Sequence, residues 1–280
     1  MKVTIADNAG FCFGVKRAVD AVYSLLEDET PDVMTYGPII HNESVTDELS
    51  QKGVKIAHSL DEVPQSATLV IRSHGISEEE FDELNEKSIK FVDATCPFVK
   101  KIHETVSEHS KAGEEIVIIG SKDHPEVKGI LGWVKGKATV IENVAQATEF
   151  KPFSDDSRVC VVAQTTFNSK KFKDLVEILS KKGYYINIVN TICHATQTRQ
   201  DEAERLAAES DCMLVIGGKE SSNSRKLFEI CKNKCVNTFF IQTAKDLDDI
   251  DLSEFASLGI TAGASTPNII IQEVSKACQR

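Results

Sequence analysis

The stretch FVDATCPFVKKIHETV (residues 91–106) runs from a short apolar segment through Asp93-Ala94-Thr95 to Cys96, and then passes into an amphipathic helical pattern. Two further stretches share this form: Asn8-Ala9-Gly10-Phe11-Cys12 and Asn190-Thr191-Ile192-Cys193. Each reads as the end of a strand, with a cysteine placed where the next helix begins. Working outward, each cysteine is followed by a helix, a short strand and a polar loop: YGPIIHN with His41, IIGSKDHPE with His124, and VIGGKESSN with Ser222. The offsets are 41−12 = 29, 124−96 = 28 and 222−193 = 29 residues. A later strand in each copy ends in a second polar loop, VIRSHG with His74, VVAQTT with Thr165 and ITAGAST with Ser265, at offsets of 62, 69 and 72.

One more helix closes each copy: SEEEFDELNEK, SKKFKDLVEILSKKG or PNIIIQEVSKACQ. The first two copies then finish on a strand that leads into the next cysteine, and the third lacks one. Residues 1–11, MKVTIADNAGF, have the character to supply it. The expected organisation is α/β: three similar lobes over 12–95, 96–192 and 193–280, the last completed by the strand within 1–11 and all arranged as a pseudo-threefold trefoil. Any α/β protein alternates strands and helices, but three offsets agreeing within one residue argue for a true repeat. In open parallel sheets ligands bind beyond the carboxyl ends of strands, and all nine marked positions follow predicted strands.

The composition, 41% hydrophobic and 27% charged over 280 residues, is that of a folded globular protein. No run approaches the roughly 18 apolar residues of a membrane span, and the N-terminus reaches Asp7 too early for a signal peptide, so a cytoplasmic location is expected. There, eight cysteines read as core residues, metal ligands or redox groups rather than as disulfides. Cys160, Cys212 and Cys278 lie in apolar patterns, and Cys231 and Cys235 lack zinc-knuckle spacing; all five read as structural. A net charge of −11 argues against nucleic-acid binding but leaves room for a small anion in a local nest.

A cysteine at a helix start favours the thiolate, the form that ligates metal. Three such thiolates suit zinc with a fourth ligand or a [4Fe–4S] cluster with one iron open. Iron is favoured, because the loop histidines lie about thirty residues or more after each cysteine, and His194, directly after Cys193, is awkwardly placed for ligation. The six loops offer His41, His74, His124, Glu126, Thr165, Ser221, Ser222, Asn223 and Ser265, an inventory suited to an anion with several oxygens, with Ser221-Ser222-Asn223 opening a helix that begins near Ser224. His58, His103 and His109 fit no repeat position and read as solvated. Glu126, the carboxylate set among these loops, reads as a proton carrier for a leaving hydroxyl.

The ordered set AGFCFGVKRAV, YGPIIHN, IRSHG, DATCPFVKK, DHPEVKG, AQTT, TICHATQTRQ, SSNS and GAST resembles the IspH/LytB family of 4-hydroxy-3-methylbut-2-enyl diphosphate reductases along essentially the whole chain. The resemblance implies a trefoil around a central [4Fe–4S] cluster held by Cys12, Cys96 and Cys193. It also implies a diphosphate held by His41, His74, His124, Ser221, Ser222, Asn223 and Ser265, with Thr165 near the substrate hydroxyl and Glu126, Thr165 and His124 serving the chemistry. The implied reaction consumes two electrons and two protons, expels water and yields isopentenyl and dimethylallyl diphosphate, the last step of the methylerythritol phosphate route. From the charge pattern rather than the resemblance, a small acidic electron carrier such as ferredoxin or flavodoxin is expected. Lys16, Arg17, Lys100, Lys101 and Arg199, four to six residues after the cysteines, are expected to form its basic docking ring. Competing readings are a zinc Cys₃ hydrolase or lyase and a non-catalytic iron–sulfur redox sensor.

Overall fold

The computed structural model describes residues 1–154 and 156–279. After β1 (Lys2–Ile5) and α1 (Phe13–Glu27) come β2 (Val33–Tyr36), α2 (Glu43–Gln51), β3 (Lys55–Ala57), β4 (Thr68–Ile71), α3 (Glu78–Glu86) and β5 (Lys90–Asp93). The middle third holds α4 (Pro97–Lys111), β6 (Glu115–Ile119), α5 (Pro125–Gly132), β7 (Ala138–Ile141), α6 (Val144–Glu149), β8 (Arg158–Ala163), α7 (Ser169–Ser180) and β9 (Tyr185–Ile188). The last third holds α8 (His194–Ala208), β10 (Cys212–Ile216), α9 (Ser222–Lys232), β11 (Thr238–Ile241), β12 (Ser257–Ala262) and α10 (Asn268–Cys278).

The strands form three four-stranded sheets, ordered β3-β2-β4-β5, β7-β6-β8-β9 and β11-β10-β12-β1. Every pairing is parallel, since each connection returns through a helix or a short helical turn. The α/β class and the three similar lobes expected from the sequence are what the chain adopts. In the third sheet the fourth place belongs to β1, with Lys2 opposite Ser257 and Ile5 opposite Ile260.

Two compact units divide the chain: residues 1–16, 40–52 and 194–280 form one, and residues 17–39 and 53–193 the other. In the second unit, β6 and β8 are covered on both faces, as parallel sheets require. Val117, Ile119, Val159, Val161 and Ala163 face one core with Phe172, Leu175 and Leu179 of α7. The alternate residues Ile116, Ile118, Cys160 and Val162 face the other, with Ile102 and Val106 of α4. This period-two alternation puts every residue of the run indoors, each large aliphatic contributing about 1.5–3 kcal/mol. Met34, Leu69, Ile71 and Leu84 build the equivalent core of the β2–β5 sheet. In the first unit, Leu214, Ile216, Ile260 and Ala262 pack beneath α10, while Met213 and Val215 pack against Ala203, Leu206 and Leu227.

The terminal strands β1, β5 and β9 are edges of only four residues each, β1 and β9 mostly exposed and β5 half-buried. From these weakly held edges the chain runs to Cys12, Cys96 and Cys193. One boundary differs from expectation: α9 starts at Ser222 rather than near Ser224, because Ser221 takes the N-cap and its hydroxyl accepts the Ser224 N–H at 3.3 Å.

Candidate active site

The cysteine-bearing loops are built alike. Cys12 N–H donates to Ala264 O (3.3 Å), Cys96 N–H to Ser73 O (3.0 Å) and Cys193 N–H to Thr165 O (3.1 Å). The acceptors are Thr165 itself and the neighbours of Ser265 and His74, so the backbone ties each cysteine to the second polar loop of the preceding sheet. All three cysteines are partly exposed, and none of the eight forms a disulfide.

The remaining thiols are of another kind. Burial pushes Cys160, Cys212 and Cys231 up to about 12 and raises Cys278, while Cys235 is buried, as expected of structural residues. His109 and Glu114 come close to Cys160, but their 2.8 Å hydrogen bond satisfies both, and the Cys160 thiol stays protonated in its apolar core.

In the unit of residues 17–39 and 53–193, His124 is the N-cap of α5 and Pro125 follows at the first helical position. Its Nδ1 accepts the Glu126 N–H at 3.1 Å, which leaves the proton of the neutral ring on Nε2 and makes that nitrogen a donor. The His74 ring meets the His124 ring edge-on at 5.2 Å. Glu126 is 1% exposed. One of its carboxylate oxygens accepts the Thr165 N–H at 2.5 Å and the other accepts the Thr165 hydroxyl at 2.6 Å. A carboxylate taken from water must find such donors. Thr165 thus becomes the polar surface of a buried acid.

In the unit of residues 1–16, 40–52 and 194–280, the Ser265 hydroxyl donates to His41 O (3.1 Å) and reaches the Ser221 hydroxyl at 3.4 Å. Lys226 donates to the Ser222 hydroxyl at 3.0 Å. Asn223 is 4% exposed, and neither its Nδ2 nor its Oδ1 has a hydrogen-bond partner among the described residues. Leaving a buried amide unsatisfied costs about 1–3 kcal/mol. Gly218 permits the close approach of this loop to His41, whose carbonyl oxygen a Cβ there would overlap.

Several contributors escaped the sequence reading. Ser224, fully buried, donates its hydroxyl to Ser221 at 2.9 Å, and Gln164 accepts the Ser121 N–H at 3.1 Å while donating to Thr166 at 2.8 Å. Both neighbour expected residues in sequence, and that adjacency was the available signal. Two expectations are corrected. His103 is buried at 6% exposure and stacks on Trp133, and His109 is paired with Glu114, so only His58 and His194 among the unassigned histidines are exposed. Of the five residues expected in the basic docking ring, two are spent within the fold: Arg199 is buried and donates to Asn8 O and Gly10 O, and Arg17 donates to Thr95 O and Asp93 O; Lys100 is half-exposed and paired with Asp93 at 2.5 Å, and Lys16 and Lys101 are exposed. The two guanidinium groups are taken up within the fold because backbone carbonyls lie within reach.

Three parallel four-stranded sheets, each with helices between its strands and polar loops at its strand ends, define an α/β protein. Residues 3–279 match the model of the LytB protein family, and the chain belongs to that family. It is 46% identical over 274 residues to the 4-hydroxy-3-methylbut-2-enyl diphosphate reductase of Clostridioides difficile (strain 630), covering 98% of each chain. It is 43% identical to that of Thermoanaerobacter sp. (strain X514), covering 99% of this chain and 96% of the relative. Among solved structures it resembles (E)-4-hydroxy-3-methyl-but-2-enyl diphosphate reductase, described as the terminal enzyme of the non-mevalonate pathway, with 40% identity, a TM-score of 0.71 and coverage of 100% and 99%. The E-1-hydroxy-2-methyl-but-2-enyl-4-diphosphate reductase from Plasmodium falciparum matches with a TM-score of 0.91 at 30% identity, covering 98% of this chain and 86% of that one. Among the described residues no helix is long and apolar enough to cross a membrane.

Proposed function

We propose that this chain reduces 4-hydroxy-3-methylbut-2-enyl diphosphate. In this reading two electrons and two protons are consumed, the C–O bond to the hydroxyl breaks, water leaves, and isopentenyl or dimethylallyl diphosphate forms. Family membership and relatives of that name support it. The observation that carries the chemistry is the buried Glu126 carboxylate bonded at both oxygens to Thr165.

Cys12, Cys96 and Cys193 are assigned as the ligands of one [4Fe–4S] cluster. The donor set fits: three partly exposed thiols at helix starts, one per repeat, against five thiols that are buried or raised. When bound, the cluster supplies the electrons and a Lewis-acidic iron for the hydroxyl oxygen.

The chain's own residues do the rest. His41, His74 and His124 donate N–H bonds to the diphosphate, and Ser221, Ser222, Asn223 and Ser265 complete its cradle, with both groups of the Asn223 amide finding partners only when substrate is present. When Glu126 is protonated at the oxygen that faces Thr165, the hydrogen bond between them reverses, and the Thr165 hydroxyl accepts that proton as it gives its own to the departing oxygen. An electron carrier of ferredoxin or flavodoxin type reduces the protein, which works in the cytoplasm.

The test is an anaerobic assay of purified protein with the hydroxylated diphosphate and reduced methyl viologen, alongside iron and sulfide analysis. Formation of the two isomeric diphosphates by a brown, iron-containing protein is expected. A colourless, zinc-replete protein without turnover would place the chain among zinc enzymes instead.

A further inference from the structure

The cysteine-bearing loops hang from edge strands, so something beyond the ladder must hold them. In the loop before Cys96, Arg17 donates from one guanidinium nitrogen to Thr95 O at 2.8 Å and from the other to Asp93 O at 3.1 Å. In the loop before Cys12, Arg199 donates to Asn8 O and Gly10 O, both at 2.8 Å. One turn along α8, Glu202 accepts the N–H groups of Asp7 (2.7 Å) and Asn8 (2.9 Å). Each arginine thus clasps two carbonyls within the four residues in front of a cysteine with a planar fork that a flexible ammonium could not reproduce.

The third loop is tied differently. Lys101, at the offset from Cys96 that Arg17 has from Cys12, pairs with Glu104 on the surface. In its place the Thr191 hydroxyl accepts the Ala163 N–H at 2.7 Å and donates to Ala163 O at 2.6 Å, stapling residues 190–192 to the end of β8. An Asx turn precedes two of the cysteines alike: Thr95 N–H donates to the Asp93 carboxylate at 2.9 Å and Ile192 N–H to the Asn190 side chain at 3.1 Å.

We propose that Arg17, Arg199 and Thr191 are positioning residues, each presenting one site cysteine in its working geometry: Arg17 presents Cys96, Arg199 presents Cys12 and Thr191 presents Cys193. The assignment rests on reading those cysteines as metal ligands. It carries an unusual signature. Arg17 lies five residues from Cys12, and Arg199 six from Cys193, yet each protects a cysteine remote in sequence. Removing a clasp lets its loop open locally while the cores described above stay closed.

Full-length protein purified anaerobically with its iron is treated with iodoacetamide, and labelling of each cysteine is followed by peptide mass spectrometry. Arg17→Met is expected to speed labelling of Cys96 by about tenfold over the other two, since hydrogen bonds from a charged donor are lost. Arg199→Met does the same at Cys12, and Thr191→Val does so, more weakly, at Cys193. Arg17→Lys and Arg199→Lys recover part of the protection and serve where a methionine variant does not accumulate. Faster labelling of the cysteine nearest in sequence, equal acceleration at all three, or no change overturns the proposal. Iron analysis of the wild type separately tests the ligand reading: iron-free wild-type protein sinks that reading, whereas a wrong labelling pattern in iron-loaded protein sinks only the clasps.

Discussion

His103 makes the fold sensitive to acid. The ring is 6% exposed, stacks on Trp133 at 5.3 Å with 14° between planes, and lies against the turn at Gly75 and against Gly129 of α5. Its charged neighbours oppose each other: Asp93 favours protonation and Lys100 resists it. Burial outweighs both and pushes the ring down to about 4 from its ordinary 6.5. Folded protein therefore holds His103 neutral. As pH falls below about 6.5 the unfolded chain takes up the proton first, and stability drains away until the folded ring itself titrates near 4. At about 1.36 kcal/mol per pH unit, that window corresponds to a loss of about 3 kcal/mol.

Trp133 is the only tryptophan of the chain, so its fluorescence reports unfolding in the neighbourhood of His103. Anaerobic urea unfolding at a series of pH values is run on the wild type and on His103→Gln, which cannot titrate. The variant is less stable at neutral pH, having lost the stack, but its stability should fall by about 3 kcal/mol less than wild type between pH 7 and 4. Parallel pH slopes for the two proteins would show that His103 is not held neutral by burial.

Glu126→Gln should retain the fold, because the amide can accept from Thr165 N–H and donate to its hydroxyl, yet lose at least tenfold in kcat, about 1.4 kcal/mol or more, with KM little changed; activity within about threefold of wild type would remove its proton-transfer role. Serine at Cys12, Cys96 or Cys193 should abolish or sharply lower iron and sulfide content, whereas serine at Cys235 or Cys278 should leave both intact, as elemental analysis will show. Gly218→Ala forces the loop away from His41 and should raise KM roughly tenfold, about 1.4 kcal/mol, with normal iron content; an unchanged KM would mean the loop moves freely.

What could be read from one dimension was periodic or local. Alternating apolar runs announced parallel strands buried on both faces, and cysteines at strand ends repeated at 29, 28 and 29 residues from the first polar loops, so the three lobes, the α/β class and the candidate site residues were visible without coordinates. Residues 1–11 could be matched to the missing strand because that vacancy follows from counting elements. The functions of single charged and titratable side chains were not visible. Arg17 and Arg199 look in sequence like solvated helix residues, and His103 looks like a surface histidine. Their roles depend on partners 78, 76, 191 and 189 residues away for the arginines, and on the stack against Trp133 for the histidine. Periodicity records which face of an element is turned inward, because that preference repeats along the chain. The partner that a buried guanidinium or imidazole finds there is chosen by packing between elements distant in sequence, and only the tertiary structure decides it.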